Sequence, residues 1–122
     1  MPRDVALLIN IVEHARTLRF ALEKHGRTGF DADPVIQMGF AHLLQIIGEA
    51  ARLIPDDVRS RYPTIPWKQI VGMRHMIVHE YFRIDYSVVW DTALLHVPDL
   101  LSALEPDIGP LVDQASPPEE QP

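Results

Sequence analysis

The sequence predicts an all-α fold, a four-helix up-and-down bundle with a short extra helical turn between helices two and three. Three observations carry that expectation. Apolar residues recur at three- and four-residue steps through four long segments. Glycine and proline clusters separate those segments, and no strand-like alternation of useful length or internal repeat appears. With 122 residues the chain holds about one domain's worth of core.

The first helix is expected from about 4 to 25, where Leu8, Ile11, Ala15, Leu18 and Leu22 form one seam. His25-Gly26-Arg27-Thr28-Gly29 places two glycines where that helix should stop. Asp33 offers an N-cap and Pro34 a first helical position for helix two. Its inward face should hold Phe40, Leu43, Leu44, Ile47, Ala50, Ala51 and Ile54, with Gly48 at the flank permitting a close helix neighbour, and Pro55 should end it. Residues 56–61 read as a short helical turn, after which Pro63-Thr64-Ile65-Pro66 launches helix three, expected from Trp67 to about Phe82. Asp85 can cap helix four, whose seam is read as Trp90, Leu94, Val97, Leu101 and Leu104, kinked near Leu94 by Pro98. Residues 1–106 are taken as the helical domain. Residues 107–122 are read as an acidic, proline-rich, disordered tail.

Composition narrows the function classes. No apolar run approaches the roughly 20 residues of a membrane-spanning helix, and the N-terminal stretch lacks the bare apolar centre of a secretory signal, so a cytoplasmic location without membrane association is expected. Without cysteine there is no disulfide framework, thiolate metal site or thiol nucleophile. The net charge of −6 opposes broad phosphate neutralisation. Four of the 17 acidic residues fall in 107–122, however, leaving 13 acidic against 11 basic residues in 1–106, so a nearly neutral body remains.

The chemistry concentrates in Arg74-His75-Met76-Ile77-Val78-His79-Glu80-Tyr81. At about 100° per residue, Ile70, Val71, Met73, Ile77, Val78, Tyr81 and Phe82 share one arc of helix three, with Arg74 near its middle. A guanidinium there must meet a carboxylate, a phosphate or a water-filled groove. His75 and His79, four residues apart, stand together at the edge of the arc. Structural alternatives stay open: Arg74 pairing with Glu49 or another acid, His79 as a hydrogen-bonded edge histidine, Tyr81 as core. A metal reading of His75 and His79 lacks the glutamate of the metalloprotease pattern and an evident third ligand, so no metal or cofactor is expected. His14, His25, His42 and His96 form no local pattern.

The blocks Ile46-Ile47-Gly48-Glu49-Ala50-Ala51-Arg52, Tyr62-Pro63-Thr64-Ile65-Pro66-Trp67, Val71-Gly72-Met73-Arg74 through His79-Glu80-Tyr81-Phe82, and Val89-Trp90 resemble, in order and spacing, the HepT-like branch of the HEPN family. The resemblance spans about residues 4 to 105. The family signature of arginine, four residues, histidine, one residue and tyrosine falls on Arg74, His79 and Tyr81. It implies a homodimeric toxin whose arginine and histidine cleave RNA at the subunit interface. It also implies a nucleotidyltransferase antitoxin of the MntA type that transfers AMP to the tyrosine, here Tyr81. The family commonly has asparagine after the arginine, where this chain has His75, a titratable group in a supporting position.

Cleavage without metal is chemically reasonable, since RNA carries its own 2′-OH nucleophile. His79 would serve as general base or acid, and Arg74 would stabilise the phosphorane-like transition state. Roughly 140° separates Arg74 from His79 around one helix, so a two-fold dimer is expected to complete the groove, with Gly72, Met76 and His79 near the contact.

Overall fold

The computed structural model describes residues 1–80 and 82–115, and these contain helices and turns with no strand. Five helices follow in order: α1 (Arg3–Ala32), α2 (Pro34–Leu53), α3 (Asp56–Arg59), α4 (Trp67–His79) and α5 (Tyr86–Ala115). This is the expected helical bundle with α3 as the extra turn. Helix α1 packs along α2 and α5, and α2 packs against α4, whereas α4 and α5 scarcely meet. One side of α4 is therefore left to solvent.

The α1 seam is as expected, with Leu8, Ile11, Ala15 and Leu18 buried, joined by Ile9 and Val12. The expected stop at Gly26 is instead a kink. Gly26 adopts φ 63°, a left-handed conformation that costs glycine little, and the helix then resumes to Ala32. The resumed turn is held by Phe30, fully buried and edge-on to Phe40 at 4.8 Å between ring centroids, with Trp90 at 5.2 Å. Asp33 caps α2 by accepting from the Val35 N–H at 2.9 Å, and Pro34 follows as the first helical residue.

Two expectations about helix ends are corrected. Helix α4 ends at His79, not Phe82: the Glu80 N–H reaches Met76 O, Arg83 N–H closes a turn on Glu80 O, and Phe82 is 93% exposed. The fully buried residues of α4 end at Ile77, so the apolar seam that α2 covers stops short of Phe82. Helix α5, capped by Asp85 through the Ser87 N–H, continues past Pro106 to Ala115, so residues 107–115 are helical and not a disordered tail. The physical reason is burial. Ile108 and Val112 extend the seam from Leu104 in four-residue steps and are both buried. Pro98, Pro106 and Pro110 sit at exposed positions, as do Leu94, Ser102 and Pro106, whose carbonyls lose a helical donor and can be hydrated instead. Leu94 is also corrected, being 54% exposed while Ala93 and Leu100 supply the seam. Residues 116–122 lie outside the described residues. Among the described residues no helix is long and apolar enough to cross a membrane.

Candidate functional site

Gly48 determines where α4 sits. A Cβ added there would overlap the Arg74 Cβ and stand 3.0 Å from the Ile70 carbonyl, so only glycine lets α4 approach this closely. The close approach puts the Arg74 side chain alongside α2, where its Nε lies 2.8 Å from Glu49 Oε2. That contact is a charge pairing outside hydrogen-bond alignment, and the buried Nε has no aligned acceptor among the described residues. Glu49 is held more directly by Arg52, one turn on, through Arg52 Nη2 to Glu49 Oε1 at 2.7 Å and Nε to Oε2 at 3.4 Å. The Arg52 hydrogen bond is the main reason the Glu49 carboxyl lies below the ordinary carboxylate range, with the Arg74 charge adding to it. The segment Gly48-Glu49-Ala50-Ala51-Arg52 thus admits α4, holds Arg74 and holds the holder.

The Arg74 side chain remains 25% exposed and forms one wall of a cavity of about 420 Å³ between α1 and α2. Leu7, Ile46, Ala50 and Leu53 give that cavity an apolar floor, and Asn10, Gln45 and Glu49 give it polar edges. His79 opens elsewhere, on a smaller recess of about 260 Å³ shared with Glu80, Phe82 and Arg83. One chain therefore does not bring Arg74 and His79 into a common groove. His75 and His79 are together, as their spacing suggested, with ring centroids 4.2 Å apart and planes at 45°, both exposed. Tyr81 lies outside the described residues, so its expected place beside the groove has no structural counterpart here.

The proposed contact residues Gly72 and His79 are exposed and Met76 is half-buried. Val78, read from its spacing as part of the inward arc, is 37% exposed instead. The short α4 turns only Trp67, Ile70 and Ile77 fully inward. Among the described residues no group of three or more His, Asp or Glu side chains is arranged to hold a metal ion. The expectation that Arg74 could pair with Glu49 is what the structure shows. Sequence reasoning missed Asn10, Gln45 and Arg83 altogether. It also passed over the three-residue spacing of Glu49 and Arg52, which marks a helix-surface ion pair.

The family profile described as Ribonuclease HepT-like matches residues 11–106, which include α2, α4, Arg74, His75 and His79. The chain belongs to the HepT-like ribonuclease family. Among its relatives, a Methanocaldococcus jannaschii protein named "Putative RNase MJ1216" is 35% identical over 84% of this chain and 86% of its own length. A Thermococcus cleftensis protein named "Probable ribonuclease HepT" is 37% identical over 84% of this chain and 87% of its own. A Caldanaerobacter subterraneus subsp. tengcongensis protein named "Putative RNase TTE0752" is 42% identical, over 58% of this chain and 63% of its own length. No solved structure matches the HepT-like chain.

Proposed function

We propose that this HepT-like chain is a metal-independent endoribonuclease, the toxin of a toxin–antitoxin pair acting on RNA in the cytoplasm. The observation that carries the reading is that Arg74 and His79 stand on α4, a helix with one side facing solvent, within a chain of a ribonuclease family and followed in the sequence by Tyr81. In the reaction, the substrate 2′-OH attacks the adjacent phosphorus and the 5′-oxygen leaves. This breaks the chain into a 2′,3′-cyclic phosphate and a 5′-hydroxyl end. His79 accepts the 2′-OH proton or donates one to the leaving oxygen, and Arg74 holds the charge that builds on the non-bridging oxygens. His75 supports His79 from one turn away.

Because Arg74 and His79 open on different recesses of one chain, the reading includes a homodimer with α4 at the two-fold axis, each groove drawing on both subunits. It also includes a nucleotidyltransferase antitoxin of the MntA type. Attack of the Tyr81 hydroxyl on the α-phosphate of ATP would release pyrophosphate and leave a bulky phosphodiester carrying one negative charge. Such a group two residues from His79 competes with substrate phosphate for Arg74 and fills space the RNA needs.

A second reading is favoured by the ion pair of Arg74 with Glu49: a non-catalytic helical module that docks a nucleotidyltransferase or nucleotide, in which Arg74 is structural. The test is to express the full chain alone and to assay the purified protein on RNA in excess chelator. Growth arrest and RNA cleavage, both lost in Arg74→Ala and His79→Ala, are expected. Cleavage that needs added divalent metal, or full activity in His79→Ala, rejects the mechanism. Mass analysis of the peptide containing Tyr81, after coexpression with a nucleotidyltransferase encoded next to this chain, if one exists, tests the modification. Full neutralisation with an unmodified peptide shows that the antitoxin works by binding alone.

A further inference from the structure

We propose that His75 and His79 form a two-imidazole site for a divalent transition-metal ion of the Zn²⁺ and Cu²⁺ class, and that its occupation silences the ribonuclease by taking His79 out of proton transfer. The binding half stands on geometry alone. The silencing half rests on the function proposed above.

Four residues apart on α4, the two imidazoles stand on one face with centroids 4.2 Å apart. Two imidazoles bound to one ion at Zn–N distances of about 2.0–2.1 Å hold their centroids roughly 5 Å apart, so the rings need to open by under about 1 Å. In a single chain both side chains are exposed, so their side-chain torsions are open to rotation. His79 is the last residue of α4, a helix of 13 residues, and the carbonyls that end a helix favour a cation near them. Of the charged groups sharing the His79 recess, Glu80 favours a second positive charge and Arg83 opposes it.

No third His, Asp or Glu among the described residues joins the pair, so water completes the coordination. An ion held this way exchanges, unlike one in a closed structural site. Imidazole selects Zn²⁺, Cu²⁺ or Ni²⁺ over the oxygen-seeking Mg²⁺ that accompanies RNA, so ordinary magnesium does not occupy the site. A metal-bound imidazole nitrogen has its lone pair committed and can neither take nor give the proton that cleavage requires.

The experiment uses the untagged full chain, with ZnCl₂ and CuSO₄ as probes and MgCl₂ as control. Calorimetry should find one Zn²⁺ per chain, with affinity falling roughly tenfold or more in His75→Asn and in His79→Ala. In the wild type, substoichiometric Cu²⁺ should broaden the proton resonances of His75 and His79 before those of the other four histidines, a readout that needs no variant. Equal Zn²⁺ affinity in His75→Asn, or first broadening at another histidine, overturns the site. For the silencing half, saturating Zn²⁺ should cut wild-type cleavage by roughly tenfold or more, with recovery in chelator. His75→Asn, compared with its own metal-free rate, should lose much less. Undiminished cleavage by the metal-loaded wild type overturns the silencing half. A chain that never cleaves RNA overturns the proposed function, and the calorimetry and resonance data still decide the site.

Discussion

Two arginines of this molecule stand in near-matching surroundings and have different fates. On the α1–α5 side, Arg16 meets Glu105 through Nε at 2.6 Å and Nη2 at 2.8 Å, and Asp113 through Nη1 at 2.8 Å, beside Gly109. On the α2–α4 side, Arg74 meets Glu49 beside Gly48, but its Nε is out of hydrogen-bond alignment and Glu49 is bound first to Arg52. Each glycine lies where a Cβ would overlap the arginine or its acid. What separates the two is donor use: Arg16 has every side of its guanidinium engaged, whereas Arg74 lines an open cavity with donors to spare. An arginine saturated by carboxylates stiffens a fold. One held loosely by a shared carboxylate can still bind phosphate.

The largest expected effect separates them by function. Arg74→Ala should lower RNA cleavage by about 10²–10³-fold, as for loss of a transition-state anion clamp, and leave the thermal midpoint within a few degrees. Arg16→Ala should leave cleavage unchanged. Equal cleavage by both variants, measured on one RNA under one condition, erases the distinction.

The glycines sharpen it. Alanine at Gly48 runs into the Arg74 Cβ and approaches the Ile70 backbone, so α4 must move, at a cost of about 1–3 kcal/mol and with reduced cleavage. Alanine at Gly109 meets side-chain ends, the Glu105 carboxylate oxygen and Arg16 Nη2, and gains roughly 0.5–1 kcal/mol of helix propensity against a loosened Arg16–Glu105 contact, so its net cost should be smaller than at Gly48. Denaturant unfolding of the two variants gives both numbers. A larger loss in Gly109→Ala contradicts the packing described for α4.

Arg16→Ala is the third in size, at about 1–2 kcal/mol of stability, because the arginine and Glu105 side chains are partly exposed at 28% and 31% and solvent screens them. The Arg16 hydrogen bond holds the Glu105 carboxyl below its ordinary range. The folded state therefore binds fewer protons than the unfolded state, and this contribution is present above Glu105's unfolded pKa and lost as pH falls through the lowered folded value. Wild type and Arg16→Ala should accordingly converge in stability in acid. A difference that persists unchanged at the lowest accessible pH counts against the ion pair as its source.

These contrasts were unevenly legible in the sequence. Leu8, Ile11, Ala15 and Leu18 announce α1 because one buried seam imposes one period, and Asp33-Pro34 announces α2 because capping chemistry is local. Gly48 could be read as a close-approach position, and Glu49 as a mate for Arg74, before any contact was seen. The end of α4 could not, because Phe82 continues the apolar period of the helix and is nonetheless 93% exposed. For α5 the four-residue steps from Leu104 to Ile108 and Val112 were present, yet prolines and acids pointed the other way. Seam burial outweighs three missing donors on an exposed helix face. The order of partners at Glu49 was out of reach, since spacing shows who can meet and not who is better aligned.

The smallest effect concerns that order. Glu49→Gln keeps the shape of the side chain and an oxygen for Arg52 but removes the negative charge 2.8 Å from Arg74 Nε. Glu49 titrates below the usual range, so at neutral pH it is ionised and competes with any phosphate approaching Arg74. For a partly exposed pair the competition is worth roughly 0.2–1 kcal/mol, so KM for RNA should fall by about 1.4- to fivefold while kcat changes less. As pH falls through the lowered value of Glu49, wild type loses the same charge and the two proteins should become alike. A KM that rises in Glu49→Gln, with stability reduced alongside it, would mean that Glu49 holds Arg74 in its working position. The α2–α4 arginine would then depend on its carboxylate as fully as Arg16 does on Glu105.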